Sequence, residues 1–298
     1  MRCVLALLLL FGVWLPAGAG AATWTDALGR RVEVTAAPQR IVSLAPSVTE
    51  VLFALGLGPR VVGVTQYSDY PPSARLKPHV GNYDAPSIEA IVATHPDLVI
   101  AGADVDSPTL VERLSALHIP VYVVYPQTLD DTIAMLARLG KVTGVPAAGV
   151  RLSASLRRTV VRAEAAVAGR PPVRVLLCEM LHPLVVAGPR TLADDLLQVA
   201  GGQNVVSAGP LRYPTWGPEG VLAADPQVII VAPHPGGPDP IGYFRRWPEL
   251  TAVRTDHVVT IDADWLQFPG PRLACGLAAL VKALHGIDLG VKEPACLP

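Results

Sequence analysis

One twelve-residue pattern occurs twice in this chain, and the repeat limits the folds that are open to it. Residues 89–100 read EAIVATHPDLVI and residues 219–230 read EGVLAADPQVII, an offset of 130 residues. A second similarity, between RIV at 40–42 and RVL at 174–176, lies upstream of each copy. A period this long excludes a solenoid and predicts two lobes of like topology.

Short apolar runs alternate with helical patterns in the first lobe. The apolar runs that predict strands are 40–44, 61–64, 98–100 and 121–124. The segments with helical spacing are 47–55, 87–94 and 110–117. This alternation is typical of βαβ units. The sequence therefore predicts an α/β protein with two Rossmann-like lobes, each built on a parallel sheet.

The segment between the two copies lacks strand signals. Residues 129–168 are rich in Ala, Leu and Arg, and their apolar residues recur at helical spacing on both sides of Gly-Val-Pro at 144–146. We predict a single long helix that joins the lobes. The predicted organisation is a leader over 1–22, an N-terminal lobe over 23–128, the connecting segment over 129–168 and a C-terminal lobe over 169–298.

The first 22 residues have the layout of a secretory signal peptide. Arg2 precedes a Leu-rich run over 4–16 and small residues over 17–22. The apolar run is shorter than the roughly 20 residues that a membrane span needs, so we expect an exported, soluble protein. A formal net charge of −1 without a Lys/Arg cluster argues against a nucleic-acid partner.

Motifs of the common catalytic classes are missing from the sequence. It has no G-x-S-x-G, no P-loop, no H-E-x-x-H and no G-x-G-x-x-G after a strand. Its seven histidines are scattered, and none pairs with another at metal-ligand spacing. A secreted enzyme would need clustered His, Asp and Glu, so we expect no enzymatic activity, no resident cofactor and no metal site.

Three cysteines follow the leader, and they form no C-x-x-C motif. Cys178 lies in an apolar run, which predicts a buried free thiol. In an oxidising compartment Cys275 and Cys296 could form a disulfide. The sequence leaves their redox state open.

Aromatic residues are only 5% of the chain, yet many fall in loops after predicted strands. These loops are 66–72, 82–83, 213–216 and 264–268, together with Trp247. In open α/β sheets, ligands bind at the carboxyl ends of the strands, and aromatic walls suit a large, flat, partly apolar ligand. The alternative for any single aromatic residue is that it only caps the sheet.

Glu89 and Glu219 open the two copies of the repeat, each in the first turn of its predicted helix. The helix dipole favours an acidic residue there by roughly 0.3–1 kcal/mol, which explains either glutamate alone. Their equivalent positions also suggest a pair of acidic knobs that meets two basic sockets on a two-fold partner.

Short segments spread over about residues 38–286 match one known family. They are RIVSLAPSVTE at 40–50, YSDYPP at 67–72, SIE at 87–89, PDLVI at 96–100, GGQN at 201–204, DW at 264–265 and PR at 271–272. On these segments the chain resembles the substrate-binding proteins of ABC importers whose lobes are joined by one long helix. The SDYPP and DW…PR segments are most similar to the cobalamin (vitamin B12)-binding type.

The resemblance implies a periplasmic, monomeric protein that captures cobalamin between its lobes and delivers it to the permease dimer of an ABC importer. Six positions match the corrinoid site of the family: Pro46, Tyr67, Tyr83, Tyr213, Trp247 and Asp264. Trp265, next to Asp264, is the seventh residue that we expect to bind the ligand. Glu89 and Glu219 match the lobe-tip glutamates that dock on the permease.

The same fold also serves other metal chelates, so haem and ferric siderophores are the alternative ligands. Haem would need a side chain on its iron, for which Tyr67, Tyr83, His182 and His234 are candidates; both histidines follow strands of the second lobe. An anionic siderophore would need cationic side chains in the cleft, and Arg212 is the clearest candidate among the loops.

Overall fold

The computed structural model describes residues 20–103, 108–207, 209–232 and 239–291. The strands are β1 (Ala21–Thr25), β2 (Arg31–Thr35), β3 (Ile41–Ser43), β4 (Val61–Val64), β5 (Leu98–Gly102), β6 (Val121–Val124), β7 (Val173–Leu181), β8 (Leu184–Val186), β9 (Gly202–Asn204), β10 (Val228–Val231) and β11 (Val258–Thr260). The helices are α1 (Pro46–Ala54), α2 (Ile88–Ala93), α3 (Pro108–Ala116), α4 (Leu129–Val142), α5 (Pro146–Val167), α6 (Leu192–Val199), α7 (Pro218–Ala224), α8 (Pro240–Phe244), α9 (Thr251–Arg254), α10 (Ala263–Gln267) and α11 (Leu273–His285).

The strands form two separate larger sheets, one in each half of the chain. The first has the order β4-β3-β5-β6, and all its neighbours are parallel. The second has the order β11-β10-β7-β8; β7 runs parallel to β10 and also to β9, and antiparallel to β8. The predicted α/β architecture with parallel-sheet cores is confirmed, with one antiparallel strand added in the second sheet.

Residues of the repeated sequence connect a helix to a strand, as the first copy shows. The carboxylate of Asp97 accepts hydrogen bonds from the backbone N–H groups of Gln39 (2.7 Å) and Arg40 (3.0 Å). The guanidinium of Arg40 donates to the carbonyl oxygens of Thr94 and His95, just after α2. These contacts fix the start of the central strand β3 against the carboxyl end of α2.

The second copy makes an equivalent but smaller set of contacts. Gln227 replaces the aspartate, and its Oε1 accepts a hydrogen bond of 2.9 Å from the backbone N–H of Arg174. The Arg174 guanidinium donates to the carbonyl oxygen of Ala224 at the end of α7. His95 and Asp225 occupy equivalent places with φ of 46° and 37°. The repeat therefore specifies how helix and strand join in each lobe.

The segment between the sheets corrects the prediction of one continuous helix over 129–168. It consists of two helices, α4 and α5, because Gly144 adopts a left-handed φ of 78° and Pro146 begins the next helix. The two helices pack closely at a pair of glycines: a Cβ on Gly149 would lie 2.9 Å from the Cα of Gly140. The long connecting helix is thus α5 alone, with 22 residues.

Apolar residues form one shared core and two outer cores. The shared core takes its residues from both larger sheets and from α4, α5, α6 and α11, and so runs between the lobes. The outer cores cover the opposite face of each sheet. Each sheet therefore has helices on both faces, as a doubly wound α/β lobe requires.

The remaining predictions on the fold concern the leader, the cysteines and membrane-spanning helices. Strand β1 begins at Ala21, inside the predicted leader, whose residues 1–19 lie outside the described ranges. Cys178 is a buried free thiol, as predicted. Cys275 is buried and disulfide-bonded, but Cys296 lies outside the described residues, so this pairing stays a prediction. Within those residues, no helix has the length and apolarity needed to cross a membrane.

Candidate functional site

A cavity of about 540 Å³ lies between the two lobes. Its first wall comes from the start of α1, the loop after β4, the last residue of β5, and the end of β6 with the segment that follows it. Its second wall comes from α6, the segment before α7 and the loop that follows α10. The cavity thus occupies the carboxyl ends of strands, where open α/β sheets bind ligands, and its volume is within the range of small-molecule sites.

Buried hydroxyl groups fix the loop that carries Tyr67 to the cavity. The Thr49 hydroxyl donates to Ser43 Oγ at 2.8 Å and lies 3.0 Å from Ser68 Oγ. Thr65 also contacts Ser68, at 3.0 Å. Ser68 is held in this buried network, and the adjacent Tyr67 lines the cavity and is 62% exposed.

The second wall is held by backbone hydrogen bonds. The N–H of Gly188 donates to the carbonyl oxygen of Arg212 at 2.7 Å, and the N–H of Val186 donates to that of Pro214 at 3.0 Å. A side chain at Gly188 would meet the carbonyl oxygens of Arg212 and Leu211 at 3.0 and 3.1 Å. Glycine therefore favours this close approach, which places Arg212 and Tyr213 on the cavity.

The side chains on the cavity are mainly aromatic, aliphatic and amide groups. Among the described lining residues, Arg212 carries the sole formal charge. Gln127 and Gln267 offer carboxamides from opposite walls, and Gln267 Nε2 also donates to the carboxylate of Glu179. Burial raises the pKa of Glu179 to about 7.

An ion cluster connects the two walls next to this cavity. Arg272, just before α11, makes hydrogen bonds of 2.9 and 2.5 Å to the two carboxylate oxygens of Glu50 in α1. It also contacts Asp264 Oδ2 at 3.0 Å, and its guanidinium lies 4.2 Å from the ring centroid of Tyr70. The Glu50 and Arg272 side chains are only 2% and 4% exposed, so the pair is almost entirely buried.

Both partners of this pair have shifted pKa values. Burial raises the pKa of Glu50 to about 7, against the hydrogen bonds and charge of Arg272, which lower it. Burial by itself would lower the pKa of Arg272, but the carboxylates of Glu50 and Asp264 outweigh burial and raise it. Arg272 is therefore always protonated, and the protonation of Glu50 decides the net charge of the cluster.

The structure brings together four of the seven predicted ligand-binding residues. Pro46, Tyr67, Tyr83 and Tyr213 line the cavity. Trp247, Asp264 and Trp265 are not among the described lining residues. The positions of the last three follow from other contacts: Trp247 packs on Tyr243 and Phe244, Asp264 pairs with Arg272, and Trp265 packs against the shared core.

The histidine candidates lie apart from the cavity or outside the described ranges. The His182 ring packs edge-on against Tyr243, with ring centroids 5.1 Å apart. His234 belongs to the undescribed residues 233–238. No cluster of three or more His, Cys, Asp or Glu side chains that could hold a metal ion occurs in the described parts of the chain. Tyr67 and Tyr83 are the iron-ligand candidates that do face the cavity.

Glu89 and Glu219 occupy equivalent exposed positions in the two lobes. Each lies in the first turn of its helix, α2 or α7. Backbone hydrogen bonding at the helix start, with the Ser87 hydroxyl at 3.0 Å, lowers the pKa of Glu89. Glu89 therefore stays ionised, and both glutamates are accessible to solvent.

Sequence reasoning missed one part of the first wall. Tyr125, Pro126 and Gln127 line the cavity directly after β6. The strand itself was predicted at 121–124, so the rule that ligands bind at the carboxyl ends of strands could have identified these three residues.

The chain is similar to known periplasmic binding proteins in both sequence and structure. Residues 41–265 match the model of a periplasmic binding protein family. The vitamin B12-binding protein of Pectobacterium carotovorum is 30% identical over 270 residues, which are 90% of this chain and 96% of the relative. The solved periplasmic vitamin B12-binding protein of Vibrio cholerae superposes with a TM-score of 0.74 at 30% identity, covering 83% of this chain and 96% of that one. The apo periplasmic heme-binding protein from Roseiflexus sp. RS-1 superposes with a TM-score of 0.75 at 29% identity, covering 83% and 98%.

Proposed function

The chain belongs to the periplasmic binding protein family, with the two-lobed class III fold, and we propose that it captures cobalamin in the cavity between its lobes. The observation that carries this proposal is the chemistry of that cavity. Four tyrosines and two glutamines line it together with a single cationic side chain. The corrin ring of cobalamin is large and flat, and its edge carries neutral amide groups that aromatic and carboxamide side chains can bind.

Haem is the second candidate, because a haem-binding neighbour has an almost equal structural similarity. The observation in its favour is Tyr67, whose exposed ring lines the cavity and could reach an iron. Haem, however, carries two carboxylates, and the described cavity residues offer one cation, Arg212. Uncompensated carboxylates are costly to remove from water, so the charge of the cavity favours cobalamin.

A parallel titration tests this choice of ligand. Purified protein without its leader is titrated with cyanocobalamin and separately with haemin, following tryptophan fluorescence and the visible spectrum. Saturable one-to-one quenching by cyanocobalamin, without a Soret shift for haemin, is the expected result. A Soret shift with no response to cyanocobalamin would move the function to haem transport. No response to either ligand would contradict both assignments and leave a ferric siderophore to be tested.

We further propose that the protein works in the periplasm as a monomer and delivers its ligand to the permease dimer of an ABC importer. The predicted leader supports export, and the family supports transport without an enzymatic step. Glu89 and Glu219 would dock on basic residues of the two permease subunits. Their exposure on equivalent helix starts supports this role, because two like lobes can engage two like subunits.

A double variant separates docking from binding. Glu89→Ala/Glu219→Ala should bind ligand as the wild type does, because neither residue lines the cavity, and should lose transport in a reconstituted system. The matched control is Glu112→Ala/Glu249→Ala, which removes one exposed glutamate from each lobe outside the repeat. Weakened ligand binding in the first double variant, or equal loss of transport in both, would argue against docking by these glutamates.

A further inference from the structure

The cationic side chain of the cavity has an unusual environment. The Nε of Arg212 is buried, and it has no hydrogen-bond partner among the described residues. A buried donor without a partner is costly, and more so when it belongs to a charged group. Native proteins keep few such groups, so each one needs an explanation. Nε itself has almost no accessible surface, but the half-buried Arg212 lines the cavity, and its cationic group as a whole is explained most simply by a partner that arrives with the ligand.

The position of Arg212 is fixed by the backbone. Its carbonyl oxygen accepts the 2.7 Å hydrogen bond from Gly188, and the next residues pair with β8 through Pro214 and Thr215. Asn204 holds the loop before Gly188 by donating to the carbonyl oxygen of Ala187 at 3.0 Å. A backbone held in this way does not need to be ordered when a ligand binds, so only the Arg212 side chain has to adjust.

The kind of ligand group that would bind Arg212 follows from the positive charge of its guanidinium. No acidic side chain of the described residues forms an ion pair with Arg212, so its positive charge in the cavity wall is uncompensated. A neutral amide carbonyl would satisfy the donor but leave that charge. An anionic oxygen would do both, through a charge-assisted hydrogen bond. Cobalamin contains one such group, the phosphodiester that links its nucleotide to the corrin side chain.

We propose that Arg212 binds the phosphodiester of the cobalamin nucleotide and so selects the complete vitamin over corrinoids that lack it. This assignment rests on the proposed function. A charge-assisted hydrogen bond in a site shielded from water is lost when Arg212 is replaced, and the dissociation constant should rise about 10- to 100-fold.

The experiment compares two ligands on one set of variants. Cyanocobalamin has the nucleotide, whereas dicyanocobinamide keeps the corrin ring and its amides but lacks the phosphodiester. Their dissociation constants are measured by calorimetry for the wild type, Arg212→Gln and Arg212→Lys. The control is Arg190→Gln, which removes an equal charge from an exposed arginine whose guanidinium donates to the Pro210 carbonyl.

The expected result is that Arg212→Gln weakens cyanocobalamin about 10- to 100-fold and leaves dicyanocobinamide unchanged, that Arg212→Lys recovers part of the loss, and that Arg190→Gln changes neither ligand. Equal weakening of both ligands by Arg212→Gln, or no weakening of either, would overturn the phosphodiester assignment while leaving cobalamin binding intact. A wild-type protein that binds neither corrinoid would overturn the proposed function and this assignment with it.

Discussion

Replacing Arg272 by methionine should destabilise the protein strongly, because the substitution breaks the buried ion pair between the lobes. The guanidinium lies 2.5 and 2.9 Å from the carboxylate oxygens of Glu50, and the two side chains are 4% and 2% exposed. Removing one partner of a buried pair costs about 3–5 kcal/mol, since the other charge is left without water or counter-charge. We expect the free energy of unfolding to fall by this amount at pH 8, measured by urea titration with tryptophan fluorescence.

The stability that Arg272→Met loses should depend on pH, and the direction of this dependence follows from the pKa of Glu50. Burial raises this pKa from 4.5 to about 7 while Arg272 opposes the shift, so Arg272→Met should raise it further. When a carboxyl group has a higher pKa in the folded than in the unfolded protein, its protonation stabilises the fold. This stabilisation is complete at a pH below the pKa of the unfolded state and is lost as the pH rises through the pKa of the folded state. The variant should therefore regain much of its stability at pH 5, where Glu50 binds a proton.

Two further variants make this result specific. Adding Glu50→Gln to Arg272→Met removes the titrating carboxyl, so the stability difference between the double and the single variant should grow from pH 5 to pH 8. Arg157→Met breaks an exposed pair with Asp130 at 2.8 Å, with side chains 51% and 76% exposed, and should cost less than about 1 kcal/mol. A loss for Arg272→Met no greater than for Arg157→Met, or the same at both pH values, would refute the reasoning.

Two smaller perturbations test the packing. Gly149→Ala places a Cβ 2.9 Å from the Cα of Gly140 and should lower stability by about 1–3 kcal/mol in thermal unfolding; Gly220→Ala, with no contact closer than 3.4 Å, should be nearly neutral. Burial raises the pKa of the free thiol of Cys178 well above its usual range, so a thiol reagent at pH 8 should label it only after unfolding, and rapid labelling of the folded protein would contradict its burial.

The sequence predicted elements well where local signals suffice. The bounds of β4 and β6 match the apolar runs at 61–64 and 121–124, because a short buried strand between turn residues carries its own signal. Strands β8 and β9 have three residues each and are defined by their pairing with distant segments, above all β7. Nothing in such short segments distinguishes them from loops, so they could not be predicted.

The candidate site was predicted in part, and the missing part has a physical cause. The resemblance supplied Pro46, Tyr67, Tyr83 and Tyr213, which do face one cavity. The sequence marked Arg212 only as a cation in a loop. Its importance depends on burial and on the lack of a partner for Nε, which are properties of the packed protein and not of local sequence.

The Glu50–Arg272 pair shows why the cavity is defined only by the complete fold. Both residues lie in segments that carry the family resemblance, but they are 222 positions apart and no local pattern links them. Glu50 belongs to the helix whose first residues form one wall, and Arg272 follows the 267–269 segment that forms the other. Two direct hydrogen bonds between these elements fix the separation of the walls within a narrow range. A charged contact that contributes nothing to either lobe alone thus sets the width of the space in which the ligand binds.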